Sequence, residues 1–171
     1  MKKYIPSIYK KSVFDVNYDK VYDGGVRHLM FDLDNTLTWA KSSEISDEIA
    51  ELIEELKKKF TVDLVSNSRN KRVSTIAKRL NVDYVSFARK PSIKSFNIIQ
   101  NKYDCSRDAI AIIGDQLFTD VKGGNTFGVM TILVDPIGDD IFVTYYNRWR
   151  ENRKLKKLAK AGNLERGKYY E

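Results

Sequence analysis

"FDLDNTLT", residues 31–38, ends an apolar run, "HLMFDL" (28–33), with two aspartates. A bare carboxylate inside a sheet costs several kcal/mol unless it is paired, hydrogen-bonded or bound to a cation. The strand therefore stops where the acids begin, and Asp32 and Asp34 face a crevice at its carboxyl end. The segments "TVDLVS" (61–66), "VDYVSF" (82–87), "AIAIIGD" (109–115) and "VMTILVD" (129–135) also read as strands. Between them, 46–60, 70–80 and 92–103 carry helical spacing. Ile49, Leu52, Ile53 and Leu56 share one face, and Ser46, Asp47 and Glu48 suit a helix start. The stretch 119–127, with two glycines, predicts a shorter helix. Strands alternating with helices predict an α/β fold, a five-stranded parallel sheet covered on both faces in a three-layer sandwich.

Composition is that of a globular chain: 171 residues, 42% hydrophobic and 31% charged. One cysteine, Cys105, excludes an internal disulfide framework and leaves the cytoplasm as the expected compartment. No apolar stretch approaches the ~20 residues that span a bilayer. "MKKYIPSIYKKS" (1–12) has lysines with no apolar run behind them, unlike a signal peptide. Residues 1–27 show no clear helix or buried strand, and their aromatics are expected to pack on the body. The net charge of +7 is uneven. Residues 148–171 hold nine Lys or Arg against three acids, whereas the rest hold 21 bases and 20 acids. The chain thus reads as a domain over 1–147, with 1–27 an extension packed on it, and a basic C-terminal tail over 148–171.

In open α/β sheets, ligands sit outside the carboxyl ends of the strands. At that edge the second strand ends in Ser66 and Asn67, the third leads to Lys90, and the fourth leads to Asp115 and Asp120. Clustered aspartates cannot all stay ionised without a cation. Oxygen donors without a His or Cys cluster favour a hard ion, Mg²⁺. Mg²⁺, a lysine and a hydroxyl donor suit a phosphoryl group. Neither G-x-x-x-x-G-K-[ST] nor G-x-G-x-x-G occurs. One aspartate can attack phosphorus, and another two residues on can protonate the leaving group and then activate water.

These stretches resemble the haloacid dehalogenase (HAD) superfamily of phosphatases. "DLDNT" (32–36) is similar to its first motif, Ser66 in "LVSNS" to the second, Lys90 to the third and "GDQLFTD" (114–120) to the fourth. The resemblance is closer to the YqeG-like branch of subclass IIIA, related to phosphatidylglycerophosphate phosphatases. "YIPSIY" (4–9), "ARKPS" (88–92), "GDQLFTDVKGGN" (114–125) and "NRWRE" (147–151) carry it. It implies a Rossmann-like sheet of order 5-4-1-2-3. It also implies Asp32 as nucleophile, Asp34 as acid and base, Thr36 as a positioning residue, and Ser66, Asn67 and Lys90 on the phosphoryl. Mg²⁺ would rest on Asp32, the Asp34 carbonyl and Asp115, with Asp120 a ligand or a support behind the ligands. Thr38 departs from the pattern, where an apolar residue is expected.

Only 29 residues separate Thr36 from Ser66, and 23 separate Ser66 from Lys90. Neither interval has room for a large cap domain, so the expected site is open. An open site suits a phosphate on something large. With the basic tail and the resemblance, this points to an anionic lipid, phosphatidylglycerophosphate, met at the inner face of the membrane with peripheral contact through the tail. The alternatives are a soluble nucleotide, a sugar phosphate or a phosphoprotein, a phospho-accepting receiver domain, and a nucleic-acid-binding module with an inert site. Arg69 and Lys71 are candidate headgroup contacts. Asp135, before Pro136, is either a site-edge group or a turn residue.

Overall fold

Leu29, Met30 and Phe31 have no exposed surface, because β2 (His28–Phe31) lies at the centre of the sheet. The computed structural model describes residues 2–138 and 142–171, with side chains through 138 and again from 149. The other strands are β1 (Ile8–Lys10), β3 (Thr61–Val65), β4 (Asp83–Val85), β5 (Ile110–Gly114) and β6 (Met130–Val134). Their order is β1-β6-β5-β2-β3-β4, and every pairing is parallel. The helices are α1 (Tyr18–Asp23), α2 (Asp47–Lys57), α3 (Asn70–Leu80), α4 (Lys94–Tyr103), α5 (Lys122–Phe127) and α6 (Phe142–Lys160). Before α5, Leu117–Val121 forms a π-helical turn.

The five expected strands are β2 to β6, and their order is the expected 5-4-1-2-3. The sixth strand, β1, corrects the reading of residues 1–27 as lacking a strand, and α1 corrects the reading of no helix there. β1 is three residues long and buries only Tyr9, too short for a period-2 signal to emerge. Its position comes from long-range pairing, Ile8 opposite Ile132 and Lys10 opposite Val134. Its outer edge is covered by the C-terminus, where Tyr9 and Tyr170 form an antiparallel bridge. Four of the extension's aromatics meet other rings of the body or the tail, as in the edge-on pair of Tyr4 and Phe118 at 5.4 Å. Phe14 is 54% exposed.

Ser46 caps α2 by accepting the Ile49 N–H, and Ile49, Ile53 and Leu56 are buried. The interval from Thr36 to Ser66 holds one loop, α2 and β3, and that from Ser66 to Lys90 holds α3 and β4, so neither interval carries a cap. Thr38 is polar for a local reason. Its buried hydroxyl donates to the Glu44 carbonyl at 2.5 Å and closes the loop after β2. In the tail, Leu155, Leu158 and Leu164 are buried against Tyr9, Leu117, Val121 and Leu133. The side chains of Phe142, Tyr145 and Tyr146, aromatic residues on α6, lie outside those described.

Candidate functional site

Three adjacent strands end abreast. Phe31 lies beside Ile113 on one side and Leu64 on the other. Asp32, Asp115 and Ser66 are the next residues or nearly so, which brings them together at the carboxyl edge. Asp32, Asp115 and Asp120 are 6%, 3% and 1% exposed, with carboxylate oxygens within 4.8 Å of one another. Asp120 enters from the π-helical turn over Gly114. A Cβ on Gly114 would lie 2.3 Å from the Asp120 Cγ, so a side chain there would evict the carboxylate. Gly124 likewise lets α5 close on the sheet, since a Cβ there would lie 2.5 Å from Thr131 Cγ2. Neither glycine has the positive φ of a turn, so the two serve close approach of side chain and helix.

Lys90 comes from beyond the edge strand β4 and reaches across β3. Its Nζ donates to Asp32 Oδ1 at 2.5 Å and to Asp120 Oδ1 at 2.6 Å. Phe87 (φ 48°) and Arg89 (φ 53°) adopt left-handed backbone on the way. This costs roughly 1–2 kcal/mol per residue for side chains of this kind. The Asn67 amide holds the loop, accepting the Lys90 N–H at 2.7 Å and donating to the Lys90 carbonyl at 3.3 Å. The Asn67 side chain thus clips the backbone that carries the lysine. Ser66 is 1% exposed, and its hydroxyl accepts the Ser68 N–H at 3.1 Å. Thr36 is buried, and its hydroxyl has no hydrogen-bond partner among the described residues.

Asp34 is separate from this cluster. Its carboxylate accepts from Ser68 Oγ at 2.6 Å, Arg72 Nη1 at 2.9 Å and the Lys41 N–H at 2.8 Å. Burial pulls its pKa upward, but Arg72, Ser68 and the Lys41 amide outweigh burial and hold it below the ordinary carboxylate value. The Asp34 side chain is therefore engaged away from Asp32, Asp115 and Asp120, which leaves its backbone carbonyl as the atom expected to face the ion. Asp32 behaves oppositely. Desolvation, with Asp120 and Asp115 beside it, lifts it to about 8 despite Lys90. Burial lowers Lys90, but Asp120 and Asp32 reverse this and raise it. With all three carboxylates ionised beside one ammonium, two negative charges would stand in a buried space, and that repulsion is part of what lifts Asp32. A divalent cation on oxygen donors matches both the charge and the donor set.

Arg72 was missed by the sequence reading, which weighed Arg69 and Lys71. It lies on the first turn of α3, whose start is at the same edge, while Arg69 and Lys71 are exposed. Glu151 was missed too. It is buried in α6 and accepts the Phe118 N–H at 3.1 Å, bracing the loop between Asp115 and Asp120. Asp135 is taken by Tyr9 and Tyr169, whose hydroxyls donate at 2.5 and 2.8 Å. His28 stacks on Tyr103, 5.0 Å between ring centroids.

A parallel sheet whose central strand ends in a buried aspartate, answered by lysine and further aspartates, is the arrangement of a HAD-type hydrolase. The model of the HAD-hydrolase-like family matches residues 87–136. "Probable phosphatase YqeG" of Bacillus subtilis is 34% identical over 166 residues, 96% of each chain. The chain belongs to the YqeG-like family of HAD phosphatases. "Phosphatidylglycerophosphate phosphatase 1, chloroplastic/mitochondrial" of Arabidopsis thaliana is 23% identical over 92% of this chain, which spans about half of that relative (49%). Among solved structures, an uncharacterized protein from Listeria monocytogenes serotype 4b shares the fold, with a TM-score of 0.57 at 14% identity over 68% of this chain and 84% of that one. So does the HAD-hydrolase YfnB of Bacillus subtilis, bound to magnesium, with 0.53 at 16% over 63% and 88%.

Proposed function

We propose that this phosphatase hydrolyses a phosphomonoester through an aspartyl-phosphate on Asp32. The observation that supports this reading is the buried set of Asp32, Lys90, Asp115 and Asp120 at one edge of the sheet. An Asp32 oxygen attacks phosphorus and the ester oxygen leaves, taking a proton that Asp34 has first received from the monoanionic form of the bound monoester. Asp34, now ionised, removes a proton from water as the water oxygen attacks phosphorus. The P–O bond to Asp32 breaks, inorganic phosphate departs with the proton it brought, and both aspartates return to their starting forms. Lys90 and the Ser66 hydroxyl hold the phosphoryl oxygens, and Thr36 has a free hydroxyl for the same oxygens. Asp32, Asp115 and Asp120, with the Asp34 carbonyl, would hold Mg²⁺, which when bound neutralises charge on the phosphoryl oxygens and keeps Asp32 ionised. Arg72 favours the ionised, base form of Asp34.

We further propose that the substrate is an anionic lipid monoester, phosphatidylglycerophosphate, met at the inner face of the membrane. The uncapped site and the similarity to the Arabidopsis enzyme support this reading. The test is phosphate release from phosphatidylglycerophosphate in anionic vesicles against release from soluble sugar phosphates and nucleotides. Faster turnover of the lipid, lost on chelation of Mg²⁺ and in Asp32→Asn by about a thousandfold or more, is expected. Better turnover of a soluble monoester would overturn the lipid assignment, and undiminished release in Asp32→Asn would overturn the mechanism.

A further inference from the structure

Much of the large apolar surface left in solvent by the described residues follows the carboxyl ends of the strands. Phe14 comes after β1, Trp39 after β2, Phe87 after β4 and Ile137 after β6, at 54%, 61%, 57% and 43% exposure. All six strands are parallel, so these loops share the edge that holds the aspartates. Phe14, Trp39 and Ile137 line one cavity of about 430 Å³ together with Thr36, so this apolar lip adjoins the site. Exposed apolar groups gathered in one place mark an interaction surface, whereas scattered ones carry no message.

Beyond the aspartates lies a second lip of different chemistry. The stretches 66–71 and 86–94 contain Arg69, Lys71, Arg89 and Lys94 and no acid. All four bases are exposed and none forms an ion pair among the described residues. Phe87 is exposed among them. Its left-handed backbone is retained by the hydrogen bond from its N–H to the Ser68 carbonyl at 3.1 Å. Aromatic rings beside unpaired bases are the composition of a surface that rests at the interface of an anionic bilayer.

We propose that this edge of the sheet docks on an anionic phospholipid surface, with Trp39 and Phe87 entering below the headgroups and Arg69 and Arg89 meeting lipid phosphates. The phosphomonoester of a lipid then reaches Asp32 without leaving the bilayer. The proposal deepens the lipid reading of the same site and rests on it. It also moves the membrane contact from the tail, where the charge count put it, to the rim of the site. An acidic protein could meet the bases, but it would not explain Trp39 and Ile137 beside Thr36.

The chain has two tryptophans, Trp39 on this rim and Trp149 on α6, so each face carries its own reporter. Trp149→Phe and Trp39→Phe variants are mixed with phosphatidylglycerol vesicles whose acyl chains are brominated, without any monoester lipid. Quenching of Trp39 by about half or more, with Trp149 unquenched and no effect from phosphatidylcholine vesicles, is the expected result. Trp39→Ala with Phe14→Ser, both on the apolar lip, should lower vesicle affinity about tenfold while hydrolysis of a soluble monoester stays within about twofold. Quenching of Trp149 alone would place the contact on the tail and overturn the proposal. Burial of Trp39 in a concentration-dependent dimer, seen by sedimentation, would overturn it as well. The soluble monoester assay reads the phosphatase chemistry separately, so failure to dock and failure to hydrolyse are distinct results.

Discussion

Asp32 and Asp34 are two residues apart, yet their surroundings push them in opposite directions. Asp32 sits at the end of the central strand among other carboxylates and is lifted, while Asp34 meets Arg72, Ser68 and an amide and is lowered. Separation of this kind is how two groups of one residue type take different roles. Replacing Arg72 by Met removes the charge from Asp34 while keeping an apolar stem. We expect kcat to fall about tenfold with KM little changed, measured on a soluble monoester. A matching fall in kcat/KM through KM alone would assign Arg72 to substrate binding instead. Asp63 titrates for a different reason. It is buried in β3, bonded by the Tyr103 hydroxyl, and desolvation raises it from the ordinary 3.8 to about 6. Below pH ~4 the carboxyl is protonated in the folded and unfolded chains alike. Between pH ~4 and ~6 the unfolded chain releases the proton and the folded chain keeps it, so stability falls as pH rises, by up to about 3 kcal/mol. Asp63→Asn should remove that share of the slope and leave the protein more stable at pH 7. Denaturant unfolding of both proteins across this range checks it, and parallel slopes would sink it.

The elements bring these residues together by ending in the right places. β5, β2 and β3 stop abreast, so the residues that follow them become neighbours without any long side chain. Lys90 does need reach, and two left-handed residues and the Asn67 clip supply it. The loop from Asp115 to Asp120 is braced by Glu151 and relies on the bare Cα of Gly114 beneath Asp120. Gly114→Ala therefore displaces Asp120 without emptying the core. Its expected effect is about tenfold or greater weakening of Mg²⁺, read by calorimetric titration, with the fold retained by circular dichroism. Unchanged Mg²⁺ affinity would show that Asp120 is not part of the cation site.

Across the whole molecule, the proposed cation site should make stability depend on Mg²⁺, because it gathers like charges that only a cation offsets. Anything that binds only the folded state stabilises it by RT ln(1 + [L]/Kd), about 2.7 kcal/mol at a hundredfold excess over Kd. Mg²⁺ should raise Tm by several degrees in the wild type and not in Asp115→Asn, as followed by thermal unfolding. Equal gains in both would place the ion elsewhere. The order of the five main strands and the aspartate edge were legible because strand-length apolar runs ending in acids, joined by amphipathic helices, admit few parallel topologies. β1 was not legible, because three residues carry no period and only pairing with β6 makes them a strand. The engagement of Asp34 by Arg72, the place of Asp120 over Gly114 and the brace from Glu151 were likewise hidden. Each joins groups from separate elements, 38 residues apart for the first and 33 for the last. Local chemistry thus determined which acidic and basic residues this protein gathers and at which edge. Packing alone decided which of them share a charge, because a carboxylate takes its pKa from whatever the folded chain sets beside it.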